Sequence, residues 1–236
     1  MSTAVVTGAN KGLGKHIARQ FADAGLTVYV GSRDAERGGA AVAEIGDHAR
    51  LLVLDVTDAA SVAAAAGQVE ALDVLVNNAG IGDDSRTAPE ADVDSFRRIF
   101  ETNVFGVVAV TNAFLPALHR SARGRIVNIS SGTGSLARST SPDARFAFSA
   151  GDAAAYRASK AALNALTVFY AQALAGTGIK VNALAPGLRA TDLNPLAAAS
   201  GGDPAEGAAG AVRLALLPDD GPTGGFYSSD GTPVPW

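Results

Sequence analysis

Short apolar runs alternate with amphipathic stretches along nearly the whole chain, and this alternation limits the possible fold more than any other feature. Each run is apolar on both faces, as in a strand that is buried on both sides, and a segment with helical periodicity follows it. The predicted strands are Ala4–Thr7, Thr27–Val30, Leu51–Leu54, Val74–Val76, Arg125–Ile129, Lys180–Leu184 and a last one near Gly225–Tyr227. The pattern predicts a parallel sheet covered by helices.

Right-handed crossovers place the first and fourth predicted strands side by side, where the strand order reverses. We therefore expect an α/β fold, with a single Rossmann-type doubly wound parallel sheet and helices on both faces, and a ligand crevice at the carboxyl ends of the strands. No proline- or serine-rich stretch divides the 236 residues, which predicts one domain over residues 1–236. Gly8–Gly14, Asn77–Gly80, Ser130–Ser131 and Pro186–Gly187 follow strands and are expected at that crevice.

A glycine-rich turn joins the first strand to the first helix. Its three glycines let the backbone turn sharply and bring bare N–H groups at a helix N-terminus to an anion. The turn is not G-x-G-x-x-G, because Ile17 stands where the third glycine would be, and it is not a Walker loop, because Ala9 and His16 replace its first glycine and its Ser/Thr. The turn predicts a phosphate site for a dinucleotide.

Five motifs follow one another in a diagnostic order. They are Thr7-Gly-x-x-x-Gly-x-Gly14, Asn77-Asn78-Ala79-Gly80, Ser130-Ser131, Tyr156-x-x-x-Lys160 and Pro186-Gly187. In their order and approximate spacing the chain resembles the short-chain dehydrogenases/reductases over nearly its whole length. The resemblance implies hydride transfer between nicotinamide C4 and a carbonyl carbon, with Tyr156 exchanging a proton with the oxygen.

Tyr156 and Lys160 lie four residues apart on a predicted helix and hence on one face. The unperturbed tyrosine pKa is about 10, and we expect the Lys160 ammonium to lower the pKa of Tyr156. The resemblance implies that Lys160 also binds the nicotinamide ribose, that Ser131 hydrogen-bonds the substrate oxygen, and that Asn103 anchors a water linking Lys160 to solvent. A polar kink in a long helix is the alternative role for Asn103.

The second predicted strand runs into Ser32 and Arg33, where an NAD-binding protein usually has an acidic residue for the ribose 2′-hydroxyl. Hydroxyl and guanidinium donors suit a 2′-phosphate, and by resemblance Lys11 lies near the same group, so we predict NADP(H). Asp34 is the alternative acceptor for a ribose, or else the N-cap of a helix that begins at Ala35.

The resemblance implies contacts of Asp55 and Val56 with the adenine ring and of Pro186, Gly187 and Thr191 with the nicotinamide; Asp55 also suits a strand-end cap. The expected cofactor site comprises Gly8, Asn10, Lys11, Gly12, Leu13, Gly14, Ser32, Arg33, Asp55, Val56, Asn78, Ala79, Gly80, Tyr156, Lys160, Pro186, Gly187 and Thr191.

Residues 132–155 form an insertion before the helix of Tyr156. In this insertion, in Ala9–Gly12 and in Asp230–Trp236, the chain is similar to the carbonyl-reductase branch of the family. That likeness implies NADPH-dependent reduction of a ketone, aldehyde or quinone-type carbonyl. The alternatives are an NAD(P)-dependent secondary-alcohol dehydrogenase and a non-enzymatic NADP(H)-binding sensor.

The insertion, with its Pro142, Phe146 and Phe148, can cover the outer face of the following helix around Leu163 and Leu166. Because a covered apolar face needs no partner, we expect a monomer rather than a homo-oligomer. A mobile lid over the substrate is the alternative role of this segment.

Charge and composition narrow the classes of partner. The net charge is −4 and the basic residues are scattered, which argues against nucleic acid or an anionic membrane and favours a small-molecule substrate. The chain has no cysteine, and its three histidines lie far apart, so no metal site is expected.

The sequence shows neither a signal-peptide pattern nor an uninterrupted apolar run of about 18 residues. We therefore expect a cytoplasmic protein.

Overall fold

A parallel sheet of seven strands forms the centre of the computed structural model, which describes residues 2–82, 86–141, 151–193 and 195–236. The strands are β1 Thr3–Val6, β2 Thr27–Ser32, β3 Ala49–Val53, β4 Val74–Asn77, β5 Arg125–Ile129, β6 Lys180–Ala185 and β7 Phe226–Ser228. Their order is β3-β2-β1-β4-β5-β6-β7, with every pairing parallel. The predicted fold class and the pairing of the first and fourth strands are confirmed.

The bounds of some strands differ from prediction by one or two residues. β2 continues through Gly31 to Ser32 because its last residues pair with β3, where Ser32 lies opposite Val53. A Cβ at Gly31 would lie 2.8 Å from the Val6 carbonyl oxygen, so the chains approach closely there. The apolar residues of one segment do not show where its pairing with a neighbouring strand ends, so the strand bounds could not be predicted from them.

Helices cover both faces of the sheet. Their bounds are α1 Gly12–Asp23, α2 Ala35–Ile45, α3 Ala59–Ala66, α4 Val93–Phe100, α5 Gly106–Leu118, α6 Leu136–Ser139, α7 Ala154–Ala173, α8 Pro195–Ala198 and α9 Pro204–Ala215. Side chains alternate along each strand, so Val6 packs in the core layer under α1 and α9, whereas Val5 packs in the layer under α3 and α5. The site is thereby left at the ends of the strands.

Aspartates begin four of the helices. Asp34, Asp58, Asp92 and Asp203 each accept a backbone N–H in the first turn of α2, α3, α4 and α9. The role of Asp34 as an N-cap is thus observed. Lys11 occupies the same position before α1 and gives no side-chain cap. The first turn of α1 therefore presents its N–H groups toward the strand ends.

A π-helical turn, Glu101–Phe105, joins α4 to α5. It carries the fully buried Asn103, so the polar kink considered from the sequence exists. Within the described ranges, the continuous helical stretch Val93–Leu118 is long and apolar enough to cross a membrane by length and composition alone. Its apolar residues Phe114 and Leu118 are fully buried in the same core layer as Val5, on one face of the sheet.

The described part of the insertion lies against the start of α7. A 3-10 turn, Gly132–Gly134, leads into α6, and a Cβ at Gly134 would lie 2.8 Å from the Lys160 backbone carbon. Residues 142–150, which include Pro142, Phe146 and Phe148, lie outside the described residues. Further along α7, Leu163 is buried but Phe169 is 61% exposed. The covering role of the insertion stays a prediction.

We expect the protein to be a monomer in solution at micromolar concentration, because the insertion would bury apolar surface of α7 within one chain. Multi-angle light scattering measures this directly. A stable dimer or tetramer would contradict the covering role and leave the segment as a rim of the substrate cleft.

Replacing Gly14 by alanine should destabilise the fold by about 1–3 kcal/mol, because overpacked sites cost that much. Its Cβ would overlap the Asn78 amide and lie 2.6 Å from the Gly8 carbonyl oxygen. Gly39→Ala in α2 is the matched control, since its Cβ would meet nothing within 4 Å; alanine there should add up to about 1 kcal/mol through helix propensity. Urea unfolding measures both. Equal changes in the free energy of unfolding for the two variants would contradict close packing at Gly14.

Candidate active site

A cleft of about 1710 Å³ opens at the carboxyl ends of the strands. Residues that the sequence places far apart line it together: the glycine-rich turn, the end of β2, the turn after β4, Ser131, the start of α7 and the segment after β6. Of the predicted site residues, all but Asn103 lie on its wall. Their assigned roles remain predictions, whereas their convergence on one cleft is observed.

The glycine-rich turn is held by the turn that follows β4. The Thr7 hydroxyl accepts the backbone N–H groups of Asn78 at 3.0 Å and Ala79 at 2.9 Å. The Asn78 amide donates to the Thr7 carbonyl at 2.8 Å and the Gly8 carbonyl at 3.1 Å. From the sequence, Asn78 is expected either to contact the cofactor or to belong to a turn that stabilises the central sheet, and the second role is observed. Thr7 was not predicted to have a role, although a hydroxyl at the end of the strand beside β4 was the available signal.

The turn fits a pyrophosphate. Gly8 and Gly12 have φ of 62° and 53°, which side chains rarely adopt, and a Cβ at Gly8 would lie 3.0 Å from Ala79 Cα. The backbone can therefore approach a ligand closely. Together with the uncapped first turn of α1, which has no acidic residue, this makes a site with exposed donors and a favourable helix dipole for an anion.

At the end of β2, Arg33 is exposed on the cleft wall. Ser32 is buried, and its hydroxyl donates to the Asp34 carbonyl at 2.7 Å, so it stabilises the local turn. Arg37, which the sequence analysis missed, lies one turn into α2 on the same wall and pairs with Asp34 at 3.3 Å. Arg37 lies four residues after Arg33, and α2 begins between them; this spacing was the sequence feature that could have predicted its place on the wall.

Asp55 behaves as a cap at the end of β3. Its carboxylate accepts from the Thr57 backbone N–H at 2.9 Å and from the Thr57 hydroxyl at 2.7 Å. These two bonds lower the pKa of Asp55, with a smaller contribution from the charge of Arg33. The alternative role as a strand-end cap is therefore present, while an adenine contact stays a prediction.

Lys11 lies on the cleft wall, and its expected place near the 2′-phosphate stays a prediction. Its ammonium forms an ion pair with Asp192, in the segment that follows Pro186 and Gly187. Thr191 of the same segment lies 3.6 Å from where a Cβ on Gly12 would be. The glycine-rich turn and the segment that follows β6 thus contact each other at Lys11 and Gly12. Asp192 could not be predicted from the sequence, because charge complementarity between distant loops appears only after folding.

Ser131 and Tyr156 meet inside the cleft. Burial raises the pKa of Tyr156 to about 12, and a hydrogen bond with the Ser131 hydroxyl lowers the pKa by a smaller amount. The expectation that Lys160 brings the pKa of Tyr156 below its usual value is therefore wrong for the net direction, because burial of the phenol outweighs its polar contacts. The neighbouring Ser130 is turned away and donates to Asn164 Oδ1 at 2.6 Å.

Lys160 lies beside Tyr156, with its Nζ 5.6 Å from the centre of the phenol ring. The ammonium donates to the Ile129 carbonyl at 2.8 Å, and only 5% of the residue is exposed. Burial lowers the pKa of Lys160 to about 8. The amine remains mostly protonated at neutral pH, and it titrates far below a free lysine.

Asn103 lies behind the cleft rather than on its wall. Its amide donates to the Ile81 carbonyl at 3.1 Å and to the Ser159 hydroxyl at 3.0 Å, and its oxygen accepts the Ile81 N–H at 2.9 Å. The side-chain oxygen lies 3.3 Å from the position of a Cβ on Gly80, and Lys160 Nζ lies 3.6 Å from that position. Asn103 thus fixes the backbone beside Lys160.

The free energy of unfolding should rise with pH between about 7.5 and 9.5, by about 2 kcal/mol relative to Lys160→Met. In this range the unfolded chain keeps a proton on Lys160, whose free pKa is about 10.4, while the folded protein, with a pKa of about 8, releases it. Denaturant titrations at several pH values measure the difference. Parallel pH curves for the two proteins would contradict the burial of this ammonium.

The parallel sheet, the glycine turn and the cleft at the strand reversal define a dinucleotide-binding protein. The profile of the short chain dehydrogenase family matches residues 2–200. Salutaridine reductase of Papaver bracteatum is 34% identical, with 96% of this chain and 94% of the relative covered.

Two solved structures share the fold closely. The NADPH-bound carbonyl reductase from chicken fatty liver has a TM-score of 0.86 at 28% identity and covers 100% of this chain and 99% of its own. The 3-ketoacyl-(acyl-carrier-protein) reductase from Brucella melitensis, complexed with NADH, has a TM-score of 0.82 at 28% identity, with 96% of both chains covered. The chain belongs to the short-chain dehydrogenase family of nicotinamide-dependent oxidoreductases, and its likeness to the carbonyl-reductase branch is confirmed.

Proposed function

We propose that this protein is an NADPH-dependent reductase of ketones, aldehydes or quinone-type carbonyls. The observation that carries the proposal is the convergence of Ser131, Tyr156 and Lys160 on the cleft that the glycine-rich turn also lines. A phenol with a pKa of about 12 is protonated at neutral pH. It therefore carries the proton that reduction must deliver to the substrate oxygen.

The bound nicotinamide supplies the hydride. The chain's own groups do the rest: the Ser131 hydroxyl and the Tyr156 phenol hold the substrate oxygen, and Tyr156 donates its proton to that oxygen. The Lys160 ammonium, 5.6 Å from the phenol ring, stabilises the phenolate that this transfer leaves. Ile81, Leu188 and Leu193 line the same cleft and suit the apolar body of a carbonyl compound.

Charge at the end of β2 supports NADPH over NADH. Arg33 is exposed on the cleft wall beside Asp55, and Arg37 lies one helical turn further. Both acidic residues close by have partners: Asp34 uses its carboxylate to cap α2 and to pair with Arg37, and Asp55 accepts from Thr57. Two guanidinium groups favour a 2′-phosphate over a hydroxyl. The NADPH-bound carbonyl reductase shares this fold, although the NADH-bound reductase does as well.

A screen of NADPH oxidation across carbonyl compounds tests the function. We expect consumption of NADPH that depends on a ketone, an aldehyde or a quinone and is slower with NADH. Cofactor binding with no turnover of any compound in either direction would instead favour the nucleotide sensor. Turnover of secondary alcohols alone would favour the dehydrogenase.

Tyr156→Phe should lower kcat by at least about 100-fold, the scale of general acid catalysis, and leave cofactor affinity nearly intact, because only the exchangeable proton is removed. Tyr170→Phe is the matched control, since it lies on the same helix and its hydroxyl donates to Asn112 outside the cleft. Steady-state kinetics and cofactor titration measure both. Substantial turnover by Tyr156→Phe would refute the proton-donor role.

Arg33→Ala should reduce the ratio of NADPH to NADH affinity by about tenfold or more, because a charged hydrogen bond contributes about 1.5–3 kcal/mol. Arg97→Ala is the control, as Arg97 is exposed on α4 and pairs with Asp94. Titration of each cofactor gives the ratio. If the ratio did not change, Arg33 would not bind the 2′-phosphate.

A further inference from the structure

The turn that follows Ser131 has little packing of its own. The 3-10 turn covers only Gly132–Gly134, and among the described residues α6 has four residues and buries none of their side chains. Leu136, its one large apolar side chain, is 67% exposed. So short an element cannot hold its position through its own helical bonds. Other contacts must therefore fix it.

One set of contacts comes from α7. Gly134 packs on the backbone of Lys160, where a Cβ would lie 2.8 Å from the Lys160 carbonyl carbon. The Asn164 amide donates to the Gly134 carbonyl at 3.2 Å. The Ser131 carbonyl and hydroxyl accept the N–H groups of Gly134 at 2.9 Å and Thr133 at 3.2 Å. The shape of this turn therefore sets the orientation of Ser131 relative to Lys160.

The second set comes from residues 233–236, far away in sequence. Ser135 is fully buried, and its hydroxyl donates to the Pro235 carbonyl at 2.6 Å while accepting the Arg138 N–H at 3.1 Å. The Ala137 N–H donates to the Trp236 carbonyl at 2.9 Å. One serine thus caps α6 and binds the distant segment at the same time.

Residues 233–236 are themselves anchored on the sheet. The Val234 N–H donates to the Phe226 carbonyl of β7 at 2.8 Å, and Val234 is buried with Phe226, Ala183 and Ala185. The Trp236 ring stacks on Phe226, with ring centres 5.3 Å apart and planes 17° from parallel. The segment therefore connects the rigid edge of the sheet to the turn after Ser131.

We propose that residues 233–236 and Ser135 form a clasp that positions Ser131 to hold the substrate oxygen while Tyr156 donates its proton. Ser135 and Trp236 are positioning residues, since they act through the Gly132–Gly134 turn and lie outside the cleft wall. The inference rests on the proposed function of Ser131, but the clasp itself is a structural contact. Misplacement of a reacting group by about 1 Å can cost as much as about 100-fold in rate, so a short clasp can matter for turnover.

The test uses Ser135→Ala, which removes the donor to Pro235, and Trp236→Ala, which removes the stack on Phe226, with Trp236→Phe as the conservative rescue. Ser121→Ala is the matched control, because its hydroxyl donates to Asp73 at the opposite end of the sheet. We expect Ser135→Ala and Trp236→Ala to lower kcat by about tenfold or more, with unchanged cofactor affinity. Trp236→Phe and Ser121→Ala should keep the wild-type kcat.

Amide hydrogen exchange supplies a readout that does not need activity. Residues 132–138 should exchange faster in Ser135→Ala and Trp236→Ala but not in Ser121→Ala. Unchanged exchange and kcat in the two clasp variants, or an equal loss of kcat in Ser121→Ala, would overturn the proposal. Faster exchange with unchanged kcat would also overturn it, because the clasp would then not position Ser131. If the wild-type protein reduced no carbonyl, the proposed function would fail, and Ser131 would have no substrate oxygen for the clasp to position it against.

Discussion

Four hydrogen bonds hold the end of β1 against the end of β4, and the cleft depends on them. The Thr7 hydroxyl accepts two backbone N–H groups from the turn after β4, and the Asn78 amide donates to two carbonyls of the glycine-rich turn. Gly14 must be a glycine because any side chain would enter this contact. The backbone N–H groups of the glycine-rich turn and of the first turn of α1 therefore face the cleft.

On the other side of the cleft, the chemistry depends on burial. Burial raises the pKa of Tyr156 to about 12 and lowers the pKa of Lys160 to about 8, so a protonated phenol and a mostly charged amine lie side by side at neutral pH. Ser131 lies beside Tyr156 on the cleft wall and lowers the pKa of the phenol by a smaller amount. The elements that carry these residues are held from behind by Asn103 and Asn164. Three side chains thus lie on the cleft wall, and buried amides behind them hold the backbone that carries them.

Much of this arrangement could be predicted from sequence. Apolar alternation predicted the seven strands and the pairing of the first with the fourth, and the motifs after the strands predicted about half of the residues on the cleft wall. The net direction of the Tyr156 pKa could not be predicted, because burial and polar contacts oppose each other and only the folded geometry shows which is larger. The Lys11–Asp192 pair and the Ser135–Pro235 bond were missed for a related reason, since they join loops that are distant in sequence.

We propose that the cleft transfers hydride from a nicotinamide to a carbonyl carbon while Tyr156 protonates the oxygen. The most direct test uses NADPH carrying deuterium at one face of C4, prepared as each of the two stereoisomers, with a carbonyl compound that the protein reduces. Mass spectrometry of the alcohol should find deuterium on the former carbonyl carbon with one stereoisomer and not with the other. A product without deuterium from either stereoisomer, formed while NADPH is consumed, would contradict the account.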